Sequence, residues 1–164
     1  MVRLVPMAEE DLEAHLKQAV PEYAQDHVDA GNWTPEEALA RSEKDFHSLL
    51  PQGVATPNQY LYSIVATEEG SMGDATKSKV GMLWFAVDPE RPRPFAWVYD
   101  FFVHSEHRRR GYGRAAFLAM EEKVRALGLS RIELHVFGHN QVARALYESL
   151  GYEVTNLNLA KKVA

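Results

Sequence analysis

The sequence predicts an α+β fold in three layers: a mixed, mainly antiparallel sheet with helices on its faces. Three observations lead there. In the first 50 residues, apolar residues at three- and four-residue spacing mark one helix and a capping box opens a second. Two runs rich in aromatic and branched residues follow on either side of a polar turn, as in a hairpin. From residue 95 onward strand-like and helix-like segments alternate, an order that lays helices against a sheet.

Val2–Val5 is a short apolar run suited to an edge strand. Residues from about Met7 to His27 form a helix with Leu12, Leu16 and Ala19 on one side, and Pro21 is expected to break or kink it. Thr34-Pro35-Glu36-Glu37 starts a second helix, with Thr34 as N-cap, Pro35 at the first helical position and Glu37 completing a capping box. That helix runs to about Leu50, where Pro51-Gln52-Gly53 stops it. Tyr60–Thr67 and Lys79–Val87 read as strands, joined by a turn over Gly70–Ser78. Pro89, Pro92 and Pro94 mark the connection into a strand over Phe95–Val103. A helix over Gly111–Leu127 closes with Gly128. A strand over Arg131–Phe137, a helix over Gln141–Leu150 ended by Gly151, and a last strand over Tyr152–Lys161 complete the chain.

The 164 residues fit a single domain, 1–164. No apolar run approaches the roughly 18 residues needed to cross a bilayer, and the N-terminus lacks the apolar stretch of a signal peptide. No membrane association is expected, and the cytoplasm is the expected compartment. There is no cysteine, which excludes thiol nucleophiles, thiolate metal sites and disulfides. A net charge of −5 argues against a nucleic-acid partner. Against that acidic balance, Arg108, Arg109, Arg110 and Arg114 fall within one short segment beside His107. Such a cluster suits a small, highly anionic ligand.

The cluster lies in Val103-His104-Ser105-Glu106-His107-Arg108-Arg109-Arg110-Gly111-Tyr112-Gly113-Arg114, between a strand end and a helix start. A helix N-terminus presents unpaired amides and about half a positive charge, which suits phosphate oxygens. Gly111 and Gly113 permit the turn and leave the backbone open to close approach. A turn with a solvated basic rim accounts for the same residues. A P-loop lysine is missing, and so is the third glycine of a dinucleotide site. A second constellation begins at Asn140, an N-cap. Tyr147 follows two turns later, on one helix face with Ala143 and Arg144, while Val142, Leu146 and Leu150 form a stripe suited to the core.

Arg108-Arg109-Arg110-Gly111-Tyr112-Gly113 matches a signature of the GCN5-related N-acetyltransferase (GNAT) family: Arg or Gln, two residues, Gly, one residue, then Gly or Ala. Asn140-x-x-Ala143-x-x-Leu146-Tyr147, with Gly151-Tyr152 beyond, resembles the family's second motif, in the right order. Arg109 stands where that family often has glycine. The resemblance covers roughly residues 80–155 and implies the acyl-CoA N-acyltransferase fold. It implies acetyl-CoA as acetyl donor, with the pyrophosphate on the loop from Arg108 through Arg109, Arg110, Gly111, Tyr112 and Gly113 to Arg114. It also implies pantetheine along the strand end Phe102-Val103 and at Asn140, beside Ala143, with Tyr147 near the thioester sulfur.

Acetyl transfer to an amine needs a neutral amine, a polarised carbonyl and a proton for the departing thiolate. A lysine with pKa ~10.4 is neutral about once in 2,500 molecules at pH 7, so that acceptor requires deprotonation. Tyr147 is the candidate acid. Histone acetyltransferase-like members carry a Glu six residues before the strand-end Val, where this chain has Trp97. Asp100 is the nearest carboxylate and the candidate base; a water chain, or a purely structural Asp100, is the alternative. Direct transfer requires no cysteine. His104, His107, His135 and His139 read as solvated loop residues, and no metal site is expected. Glu22, Asp26 and Asp29, with Tyr23 and Trp33, form either an acidic rim for a cationic amine or a solvated helix face. The expected activity is N-acetyl transfer from acetyl-CoA to a primary amine; the rival is a non-catalytic acyl-CoA sensor. These residues do not identify the acceptor or fix the oligomeric state, and a homodimer is one option.

Overall fold

A computed structural model describes residues 1–69 and 75–163. Strands β1 (Val2–Pro6), β2 (Gln59–Glu69), β3 (Ala75–Val87), β4 (Ala96–Val103) and β5 (Ile132–Leu134) form one sheet in that order. All neighbours are antiparallel except β4 and β5, which are parallel. Helices α1 (Glu9–Asp29) and α2 (Pro35–Leu49) cover one face around Met7, Leu12, Leu61, Met82 and Trp84. Helix α3 (Tyr112–Ala126) covers the other through Ala116, Phe117, Met120 and Val124, and α4 (Gln141–Ser149) adds Leu146, Tyr147 and Leu150 to that layer. The predicted three-layer, mainly antiparallel architecture is what the chain forms.

Pro21 lies inside α1 without ending it. An interior proline costs a helix about 3 kcal/mol, but Leu12, Ala19 and Ala24 are buried along α1, and tertiary packing outweighs the missing hydrogen bond. The start of α2 follows its sequence signal, Thr34 N–H donating to the Glu37 carboxylate at 3.2 Å. Of the turn read over 70–78, residues 75–78 belong to β3; the rest lies outside the described residues.

One irregularity in β4 organises everything that follows. Trp84 pairs with Asp100 and Phe85 with Val98, so Tyr99 is an extra residue with no partner opposite. A bulge of this kind reverses which face later side chains address. Ahead of it Ala96 and Val98 enter the α3-side core; after it Phe101 and Val103 do, while Phe102 packs with the α1-side core. Pairing of β4 with β5 stops at the same place, reaching only from Ala96↔Ile132 to Val98↔Leu134. The strand expected over 131–137 is therefore cut to three residues, Ile132–Leu134, its pairing ending where the β4 bulge begins.

The last strand, expected over Tyr152–Lys161, does not form; residues 152–163 carry no regular structure. Val154, Leu157 and Leu159 break the strict alternation of a strand and are 65–88% exposed. The truncated β5 offers them a very short ladder. Among the described residues no helix is long and apolar enough to cross a membrane.

Candidate active site

The loop after β4 is held by contacts that leave its backbone open. Gly81 of β3 lies under the strand end, and a Cβ there would stand 2.0 Å from the Phe102 carbonyl oxygen, so only glycine permits this approach. Arg108 Nε donates to the Val103 carbonyl at 2.9 Å, and its guanidinium lies 5.6 Å from the Phe102 ring centroid. Arg109 (φ 64°) and Gly111 (φ 79°) adopt the left-handed conformation, which costs a non-glycine residue about 1 kcal/mol. Among the described residues, the backbone amides from Arg109 to Arg114 donate to no protein acceptor. The first helical bond is Ala115 N–H to the Gly111 carbonyl. A row of free amides at a helix start, with arginines beside it, can bind a phosphorylated ligand.

The loop side chains divide their work. Arg110 reaches Glu68 of β2 at 3.1 Å, and the Tyr112 hydroxyl donates to the same carboxylate. Arg114 turns away and donates to the Ser149 carbonyl at 3.0 Å, tying α3 to the end of α4. His104 and His107 are half-buried rather than solvated, whereas His135 and His139 are exposed beside Phe137. A Cβ on Gly113 would meet the Phe101 ring at 3.1 Å, so this glycine lets α3 settle on β4.

Helix α4 opens as its sequence indicates, the Asn140 side chain accepting from Ala143 N–H at 3.1 Å. The predicted apolar stripe holds for Leu146 and Leu150 but not for Val142, which is 76% exposed at the free start of the helix. Tyr147 packs edge-on to Phe117 with ring centroids 5.4 Å apart. Burial, and after it the Asp100 carboxylate, push its phenol up to about 12. The hydroxyl thus stays protonated across the neutral range, as a proton donor must.

Asp100 follows the Tyr99 bulge and faces α1. His15 Nε2 donates to its Oδ2 at 2.8 Å, with the side chains 14% and 26% exposed. The sequence reading missed His15. It is 85 residues from Asp100, and a lone histidine in an amphipathic helix carries no motif. Tyr23 and Trp33 pack inward on His27, which stacks on Trp33 at 3.9 Å; His27 in turn meets Phe137 of the β5–α4 connection. Glu22 and Asp29 are exposed and bonded to Gln18 and Gln25 of the same helix, so only half-buried Asp26 of the three carboxylates turns toward the interior. Next to Tyr99, a cleft of about 420 Å³ opens between Gln59, Arg91, Phe95, Trp97 and Glu133.

The model of the Acetyltransferase (GNAT) family matches residues 20–152. The chain belongs to the GNAT family. It is 37% identical over 162 residues to the uncharacterized N-acetyltransferase YycN of Bacillus subtilis (strain 168), covering 99% of each chain. The solved structure of YycN superimposes with a TM-score of 0.87, covering 100% of this chain and 99% of that one. Mycothiol acetyltransferase of Kytococcus sedentarius is 29% identical across 90% of this chain, which spans 43% of that protein. As a GNAT member the chain is an acyltransferase, and the family's co-substrate is acetyl-CoA. The family match begins at residue 20, so the part of α1 that carries His15 lies outside it.

Proposed function

We propose that this GNAT chain, acting as one domain over residues 1–164, transfers acetyl directly from acetyl-CoA to a primary amine. The observation that carries this reading is the convergence at one end of β4: free amides from Arg109 to Arg114, Tyr147 on α4 and Asp100 after the bulge. The loop amides and Gly111 receive the pyrophosphate, with Arg109 and Arg110 adding charge. Phe102, Val103, Asn140 and Ala143 line the pantetheine arm, which enters where β4 and β5 separate. The amine enters through the cleft at Trp97 and Tyr99.

In this reading Asp100 takes one proton from the ammonium, and the freed nitrogen attacks the thioester carbonyl carbon. The C–N bond forms, the C–S bond breaks, and sulfur leaves with the electron pair. Tyr147 gives sulfur its proton, and the second proton released by the nitrogen restores the phenol. The products are an N-acetyl amine and free coenzyme A, with the Asp100 proton passing to solvent. No covalent acetyl-enzyme is needed, in keeping with a chain that has no cysteine.

The test is thiol release from acetyl-CoA against a panel of primary amines, with binding followed by calorimetry. Wild type is expected to bind acetyl-CoA and turn over at least one amine. Tyr147→Phe should bind nearly as well but turn over about 100-fold more slowly, within the range of a lost general acid. Binding with no turnover on any amine would favour a non-catalytic acyl-CoA sensor. No binding by folded protein freed of copurified coenzyme A would overturn the reading.

A further inference from the structure

We infer that His15 is a positioning residue for the transfer step, holding the Asp100 carboxylate so that one oxygen is fixed and the other is open to the acceptor amine. The inference rests on the acetyl-transfer reading above and adds a residue of α1 outside the segment matched by the family model.

Two features bring these side chains together. Asp11, His15, Ala19 and Tyr23 follow at four-residue spacing and share one face of α1. Asp11 anchors that face to β3, taking Lys79 Nζ at 2.8 and 2.7 Å on its two oxygens. One turn further on, His15 comes over β4. The second feature is the Tyr99 bulge: in an unbroken strand Asp100 would share the α3-side face of Ala96 and Val98, and the extra residue turns it toward His15 instead.

The contact is selective. His15 Nε2 takes Asp100 Oδ2 at 2.8 Å, and among the described residues Oδ1 has no hydrogen-bond partner. An ionised carboxylate can accept several hydrogen bonds, so the grip on one oxygen leaves capacity on the other. It also stops the carboxylate from rotating about its own axis, through a charge-assisted bond roughly twice as strong as a neutral one. After burial, the Asp100 carboxylate is the second cause that raises the Tyr147 phenol, so the group held from α1 acts electrostatically on the candidate acid. In a site where a 1 Å misplacement costs about 100-fold in rate, such a hold affects turnover without contributing to donor binding.

The experiment compares His15→Ala, His15→Gln, Asp100→Asn and the His15→Ala/Asp100→Asn double variant on an amine that the wild type acetylates. His15→Ala should lower kcat about 10- to 100-fold and leave KM for acetyl-CoA within about twofold. His15→Gln, whose amide nitrogen can reach the same oxygen, should recover most of that loss. The double variant should be no slower than Asp100→Asn alone, because two residues that act as a unit are not additive. An unchanged kcat in His15→Ala, or losses that multiply in the double variant, would overturn the assignment. A separate NMR measurement needs no turnover: the His15 Nε2 proton should be protected from exchange in wild type and lose that protection in Asp100→Ala. If the wild type acetylates no amine, the transfer reading fails by itself, and the NMR result still decides whether His15 holds Asp100. An unprotected proton in wild type would overturn the inference.

Discussion

The loop from Arg108 to Arg114 and the first half of helix α1 flank the same end of β4, and they are built differently. The loop works through its backbone: left-handed Arg109 and Gly111, free amides, and Gly113, where a Cβ would crowd the Phe101 ring. Helix α1 works through side chains that cross to strands far away in sequence, Asp11 to Lys79 and His15 to Asp100. A backbone device depends on a short run of residues and tolerates variation in their side chains. A side-chain device depends on the register of a helix against a bulged strand, so it fails one contact at a time.

The largest expected effect separates the two at once. At Gly111→Trp a Cβ would meet nothing within 4 Å, so the bulk is accommodated locally, but the change strains a residue at φ 79° and adds a large side chain beside the free amides. We expect acetyl-CoA affinity to fall by at least about 100-fold, or ~2.7 kcal/mol, by calorimetry, while the strain lowers the thermal midpoint by only about 2–4 °C. Binding within a fewfold of wild type would remove the loop from the donor site and leave the strand end Phe102-Val103 and α4 to carry it.

The same contrast explains what could be read from the sequence. The helix cap at Asn140, the two-turn spacing to Tyr147 and the Gly111/Gly113 pair are local, so the chain displays them within a few residues. The Tyr99 bulge is not local. It follows from how β4 meets β3, and the run Trp97-Val98-Tyr99-Asp100-Phe101-Phe102 has no Gly or Pro to mark it. Asp100 was therefore legible as a carboxylate near the site, while its facing direction and its partner His15 were not. The overlong C-terminal strands fail for the same reason. Ile132, Leu134 and Val136 do alternate, but β5 loses its partner at Leu134, and residues 152–163 find no ladder to join.

A smaller effect distinguishes the buried α4 side from the exposed loop. Burial raises the phenols of both Tyr147 and Tyr152, so the folded chain keeps protons that the unfolded chain begins to release near pH 10. The unfolded state then binds fewer protons than the folded one, and stability must fall as pH rises from about 10 through 12. Tyr147→Phe removes one contributor. Its denaturant midpoint should therefore drop less steeply than that of wild type between about pH 10 and 11, with no difference in slope between pH 7 and 9. Equal slopes throughout would mean that Tyr147 is not buried in the way its packing against Phe117 implies.

The smallest effect tests whether the loop is free of side-chain control. Glu68 lies at the end of β2 and takes both Arg110, at 3.1 Å, and the Tyr112 hydroxyl. These are two of the residues proposed to surround the pyrophosphate. A bound diphosphate competes with Glu68 for Arg110, and the carboxylate also repels it. Against this, Glu68 pre-orients the arginine, and an exposed pair of this kind contributes only about 0–1 kcal/mol. Repulsion and competition act in the same direction, so Glu68→Gln is expected to tighten acetyl-CoA binding by about two- to fivefold at low salt. The gain should shrink as ionic strength rises, because exposed charges are screened over a Debye length of about 8–10 Å at 0.1–0.15 M salt. Weaker binding in Glu68→Gln would mean that orientation outweighs repulsion. The loop would then depend on a cross-strand carboxylate much as Asp100 depends on His15, and the distinction between the two regions would narrow.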